Sequence, residues 1–356
     1  MRKVRTIIPG RSRGRSGVAV VAAVSLVLSG CAQGGLTRES RIGSNDGTDS
    51  CYPQAAALDS TGNFFAQDIL TGAVIGALGG AVLSAAAGGN AKQIAIGTVA
   101  GAAVGGAAGY WGALQQQSHD QRQVTAQVQA DLYKEGVQID KTQVAFNQLM
   151  DCRYAQAARI RADLAAGRID RAAAQAAMAT VRARTQQDIA LAKQIDGQIN
   201  DRGGQFNYAV DNIQPGTVAQ VTPVSTAPPR PLVTRRPAPL KLRPDPSSPD
   251  VAMLPARASL TAEHARGNYA LVQTSTGVEG YVASADLQGS VPPPPAPRGT
   301  RTVQTASASS GAQPPPVSRN DDVKTLAGSN AARRDTFAET VAVNDKNAQS
   351  SFELAS

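Results

Sequence analysis

Three thiols and two imidazoles have the most chemical capacity in this sequence, and their placement limits what they can do. Cys31 closes the run Leu28-Ser29-Gly30-Cys31 behind an apolar stretch, and Cys51 and Cys152 stand far apart downstream. A thiol at the end of such a stretch is available for acylation. Two further thiols in an oxidising compartment invite a disulfide, with free or intermolecular thiols as the alternative. His119 and His264 fall in different segments, and neither has a sequence neighbour that suggests chemistry. No Gly-rich phosphate loop, zinc-ligand spacing or nucleophile elbow occurs. The sequence thus offers no catalytic residue, metal ligand or cofactor site.

The first thirty residues set the compartment. Arg2, Lys3, Arg5, Arg11, Arg13 and Arg15 form a basic region without an acid, and Val18 to Leu28 is an apolar run too short to be a membrane span. The segment 1–30 reads as a signal peptide, and its ending resembles a lipobox. That resemblance implies diacylglycerol on Cys31 as the new N-terminus and, with Ala32 rather than aspartate next, release to the outer membrane. Loss of this leader removes six bases and leaves 29 basic residues against 27 acidic ones, so the formal charge of +8 falls to about +2. The excess charge that would favour a nucleic-acid partner therefore lies mostly in the leader.

Residues 31–65 are polar and turn-rich, a spacer holding Cys51. Two uncharged stretches follow, Ile69–Gly89 and Gln93–Leu114, each about 20 residues and so long enough to cross a bilayer core of ~30 Å. Gly72, Gly76 and Gly80 recur at every fourth position in the first, and Gly97, Gly101, Gly105 and Gly109 in the second. On a helix this spacing makes one face without side chains, where two backbones can approach closely. The pattern over 66–113 resembles the glycine-zipper lipoproteins of the bacterial envelope. Tyr110 and Trp111, at its end, suit a membrane boundary.

From 114 to 214 the sequence predicts two antiparallel helices packed as a coiled-coil hairpin. Leu132, Ile139, Phe146 and Ile160 follow a seven-residue repeat that Arg153 interrupts, and Ala166-Gly167 breaks the run. Asp170 can cap the return arm, whose Met178, Val181, Ala192, Ile195, Ile199, Phe206, Ala209 and Ile213 recur at three-and-four spacing until Pro215. Polar residues at seam positions leave room for a multi-helix assembly. Seven prolines over 215–239 predict an extended linker, with Arg235 and Arg236 as a solvated pair.

From Leu240 the pattern turns to short strands with turn signals at Gly267 and Gly277. Residues 240–288 resemble a bacterial SH3-like domain. The elements that carry the likeness are Leu240 to Arg243, Pro246-Ser247, Val251 to Pro255, Gly280-Tyr281-Val282 and Ala285-Asp286-Leu287. The chain departs from that pattern in having Asp245 where glycine is usual and in thinning the central aromatics to Tyr269. The resemblance implies a β-barrel that recognises peptidoglycan stem peptides or partner proteins, with Arg243, Tyr269 and Tyr281 as groove candidates. The segment 289–356, rich in Pro, Ser, Thr and Ala, reads as a disordered tail with a short helix over Val323–Val343 around Arg333, Phe337 and Val341.

The expected fold is mainly α with a small β module: a glycine-zipper hairpin, a coiled-coil hairpin, then an SH3-like barrel on a tether. With 4% aromatic residues the chain reads as separate modules, not one large core. The expected role is an envelope lipoprotein, structural or tethering, anchored in the outer membrane and facing the periplasm. Its partners would be membrane lipid through acylated Cys31, and peptidoglycan or envelope proteins through the SH3-like domain. The alternative is a zipper-driven homo-oligomer in the membrane, a pore or secretion-linked component, which the scarcity of polar residues in the two spans disfavours.

Overall fold

Two aspartates and one glycine shape the central hairpin. Asp120 accepts a hydrogen bond from the Arg122 amide and starts helix α4 (Gln121–Ala165); Gly167, at φ +66°, turns the chain. Asp170 then accepts from the Ala173 amide to start α5 (Arg171–Ile213). The computed structural model describes residues 37–67, 69, 108–224, 227–297, 318–348 and 352. Cys31 and the zipper positions Gly72, Gly76, Gly80, Gly97, Gly101 and Gly105 lie outside them. Gly109 is half-buried in α3 (Ala108–Gln117). Among the described residues, no helix is long and apolar enough to cross a membrane.

The hairpin packs with a third long helix, α7 (Val323–Ala348), which contacts both arms. Ile139, Phe146, Leu149 and Met150 of α4, Ile189, Ala192, Ile195 and Ile199 of α5, and Phe337 and Val341 of α7 share one buried cluster. Phe146 and Phe337 meet edge-to-face at 6.0 Å. The supposed disordered tail therefore contributes core, a correction with a physical cause. α7 carries few large apolar residues, and several of its buried polar side chains take partners from far along the chain. Asn330 donates to the Leu132 carbonyl, and Arg333 to Asp140.

The supposed spacer is corrected too. Short helices α1 (Arg38–Ile42) and α2 (Tyr52–Gly62) lie against the bundle, with Ala55 and Leu58 fully buried. A Cβ at Gly62 would sit 2.4 Å from the Ile195 Cδ1, so any larger residue there would push the Ile195 side chain out of its place between α2 and α5. Cys51 and Cys152 are joined by a disulfide that fastens the start of α2 to α4. Beside it Arg153, the residue that interrupts the apolar repeat, is 1% exposed and bonds Asp49 at 2.6 Å and Asp188 at 2.7 Å. Tyr110 is buried against Phe206 and donates to Asp131, a core position.

Nine strands complete the described chain: β1 (Pro223–Val224), β2 (Arg230–Thr234), β3 (Ala238–Lys241), β4 (Asp250–Leu254), β5 (Ser259–Arg266), β6 (Tyr269–Thr274), β7 (Glu279–Ala283), β8 (Leu287–Gln288) and β9 (Ala296–Pro297). Seven form an antiparallel sheet in the order β4-β3-β7-β6-β5-β2-β8, and β1 pairs with β9. A 3₁₀ turn at Ser284–Asp286 precedes β8, and α6 (Thr217–Val221) follows the hairpin. The expected linker 215–239 thus holds a helix, all of β1 and β2 and the first half of β3. Pro231 and Pro239 fit there because β8 reaches only Val233 and Thr234 of β2, and β7 only Lys241 of β3. A proline that donates no ladder bond is tolerated where its strand is paired on one side. Arg235 and Arg236 are exposed, as a solvated pair would be, but they follow a sheet strand and bond the Leu287 carbonyl and the Asp286 carboxylate.

Period-two alternation gives the sheet two buried faces. Ala270, Val272 and Val282 join Leu232, Leu240, Leu254 and Leu260 inside the sheet, whereas Leu271, Tyr281 and Leu242 join the helical core. Among the described residues no flexible tether separates sheet from bundle: those from Arg38 on belong to one compact unit. The loop closed by the disulfide, a separation of 101 residues, sets the size of its effect. Replacing both Cys51 and Cys152 by Ala is expected to lower the unfolding free energy by about 2–5 kcal/mol in chemical denaturation. Phe337→Ala should cost about 3–5 kcal/mol in the same measurement, and a change below 1 kcal/mol would return α7 to the status of a loose tail.

Candidate functional site

Where the sheet meets the bundle, three side chains converge on one carboxylate, and one of them also reaches a second acid. A bulge between Ala262 and His264 re-aims the end of β5, and His264 Nε2 lies 2.9 Å from Glu339 of α7. Arg266, the next residue on that face, donates to Glu339 at 2.6 Å and to Asp335 at 3.1 Å. Asp335 and Glu339 are four residues apart on α7, hence on one helix face. Tyr281 of β7 donates its hydroxyl to Glu339 at 2.5 Å.

Burial opposes the charge on Glu339, but the bonds from His264 and Arg266 outweigh it and hold its pKa at about 2. An ionised carboxylate only accepts, so Nε2 of His264 carries the proton in this contact. Burial likewise pushes the Tyr281 hydroxyl well up, and the Glu339 charge adds to the effect. Desolvation works against the Arg266 charge, yet its bond to Glu339 raises its pKa.

Beside this cluster lies a cleft of about 100 Å³, bounded on the sheet side by Arg243, Pro244, Asp245, Arg266 and Tyr281. Gln143 and Asn147 of α4 and Thr336, Glu339 and Thr340 of α7 form the helical side. Arg243 forks onto Asp151 of α4 at 2.6 and 2.9 Å, while its own amide donates to the Ser248 Oγ at 2.9 Å. Asp245 accepts from the amide and hydroxyl of Ser247, bonds that lower its pKa and fix the loop.

Of the three groove candidates, Arg243 and Tyr281 therefore line this cleft. Tyr269 does not; it is half-buried and packs against the helical core. His264, for which the sequence offered no partner suggesting chemistry, is bonded to Glu339, a contact that only the tertiary fold could supply. Sequence reasoning also missed Gln143, Asp151, Arg266, Asp335 and Glu339. The one signal available was complementary spacing: His264 and Arg266 on a strand, Asp335 and Glu339 one helical turn apart.

The other buried ion pairs are enclosed. Glu135 and Arg202 meet at 2.7 Å, with the guanidinium 4.7 Å over the Phe64 ring. Burial pushes Asp188 up to about 6, a rise that its bond to Arg153 only partly offsets. Among the described residues, no three His, Cys, Asp or Glu gather as a metal site. The chain matches no protein-family model, no curated protein and no solved structure.

The pH dependence of the Glu339 clamp has a definite sign. Its folded pKa lies below the ordinary 4.5, so the stabilisation is complete above pH 4.5 and is lost as pH falls towards 2. The shift corresponds to about 3 kcal/mol. Glu339→Gln is expected to lose roughly that amount at pH 7 and to flatten the stability profile between pH 4.5 and 2, measured by denaturant unfolding. An unchanged profile would mean that Glu339 does not hold the sheet to the bundle.

Proposed function

We propose that this chain is a lipid-anchored envelope protein with a structural, tethering role. Cys31 would carry the acyl anchor in the outer membrane, and the folded body would face the periplasm. The observation that carries this reading is cysteine accounting: Cys51 and Cys152 are joined to each other, which leaves Cys31 as the one remaining thiol of a three-cysteine chain. A disulfide buried beside the Arg153 ion pairs belongs with an oxidising compartment, and the remaining thiol sits where the lipobox likeness needs it.

In the finer reading, the sheet is an SH3-like module and α4 with α5 a coiled-coil hairpin. The seven short antiparallel strands and the 3₁₀ turn before the last one support the first. The near-equal arms, 45 and 43 residues, and the seam of Ile139, Phe146, Ile195 and Ile199 support the second. With Tyr281 turned into the core and Arg243 held by Asp151, peptidoglycan or an envelope protein would meet a rigid composite of sheet and helices. It would not meet an aromatic groove on a swinging domain. At ~1.5 Å per residue the hairpin arms reach ~65 Å, a length suited to spanning between an anchor and a partner.

Metabolic labelling with radioactive palmitate tests the anchor. The full chain is expected to take up label and fractionate with the outer membrane, and Cys31→Ala to lose both properties while the Cys51–Cys152 bond still forms. Absence of label on the unaltered chain would overturn the reading. Co-sedimentation of the full chain with purified cell-wall sacculi then tests the partner separately.

A further inference from the structure

The cleft between sheet and bundle contains one buried group whose bonding is incomplete. Gln143 is 6% exposed, and its amide nitrogen donates to Asn147 Oδ1 at 2.9 Å and Thr340 Oγ1 at 3.3 Å, both on residues of the cleft wall. Its amide oxygen is buried without a partner among the described residues. Native interiors rarely leave such an acceptor unmet, so the site lacks a donor. Thr336 and Thr340 beside it spend their hydroxyl protons on carbonyls of their own helix, Ala332 and Thr336, and so also present lone pairs. This stretch of wall accepts.

Charge narrows the choice of donor. The cleft wall and its direct ion-pair partners bring four carboxylates, Asp151, Asp245, Asp335 and Glu339, against two guanidiniums, Arg243 and Arg266. Both guanidiniums are already forked onto acids, so an anion would find no free cation there, whereas a cation would meet excess negative charge. Protonation of His264, which faces Glu339, would reduce that excess without reversing it. Size narrows it further. About 100 Å³ is smaller than the ~150 Å³ cavity that accepts benzene, so the entering group has only a few heavy atoms.

We propose that this cleft binds a primary ammonium group, on a small amine or the end of an amine-bearing chain, with one N–H donated to Gln143 Oε1. The positive charge answers the surplus carboxylates, and the threonine oxygens take further N–H bonds. The inference does not rest on the envelope reading, since it uses only the folded body. It distinguishes three look-alikes. Tetramethylammonium has the charge but no donor, acetate has the wrong sign, and water has the donor without the charge.

The test is a titration of the isotope-labelled full chain by NMR at pH 7 and fixed ionic strength, with methylammonium and ethanolamine as probes. Saturable shifts at the Gln143 side-chain amide and at Thr340 are expected with both amines and not with tetramethylammonium or acetate. Gln143→Leu should weaken binding about tenfold or more, the scale of one hydrogen bond to a charged group, and Gln143→Glu should tighten it by a similar factor. No saturable shift with the amines, equal response to tetramethylammonium or acetate, or unchanged affinity in Gln143→Leu would overturn the proposal. If Gln143→Leu does not fold, Gln143→Glu decides: affinity that fails to rise refutes the site.

Discussion

A carboxylate taken out of water must be compensated where it lies, and Glu339 is compensated entirely by the sheet. His264, Arg266 and Tyr281 come from strands β5 and β7, while Glu339 comes from a helix that is itself wedged into the hairpin. Each side alone would leave charge or donors buried without a match, a penalty that drives the two together. The arrangement makes α7 the common wall of two cores. Its Phe337 fills the bundle, and its far end holds β7, where Asn347 bonds the amide and carbonyl of Glu279. Lys346 pairs with the Glu279 side chain at the same junction.

The bundle repeats this logic in its interior. Arg153, Arg202 and Arg333 are nearly or fully buried, and each meets a carboxylate from another part of the chain. Such pairs add little net stability over a well-packed apolar core, but a shifted register would bury them unmatched. Three long helices rich in alanine could slide along one another at small apolar cost. Guanidiniums at fixed heights forbid most of those slips. The negative choice matters as much as the positive one.

What the sequence disclosed was local. Gly167, Asp170 and Pro215 bracket the hairpin because caps and turns depend on a few adjacent residues, and the apolar repeat of α4 and α5 shows their shared seam. Arg153 looked like a flaw in that repeat because Asp49 and Asp188, which complete it, lie on other elements. The helix at 323–348 was half legible from Phe337 and Val341. Four more of its buried residues, Asn330, Thr340, Asn344 and Asn347, are polar, and Asn330 and Asn347 take partners far along the chain, which no local pattern announces. Pro231 and Pro239 suggested a tether because composition cannot reveal which edge of a strand goes unpaired. Tyr281 was placed in a groove by likeness, although simple alternation puts it and Val282 on opposite faces, and here both faces are covered.

The contact between Asn330 and Leu132 joins residues 198 apart, and Gln143 reaches Thr340 across 197. Chains are made from the N-terminal end, so the two hairpin arms emerge well before the helix that seals them. During that interval Phe146, Ile195 and their neighbours face solvent, and closure must await a long loop. The Cys51–Cys152 bond needs nothing beyond the first arm, so it can form while the rest is still arriving. Oxidation can thus precede consolidation, and the last helix would then dock onto a first arm already clasped to α2.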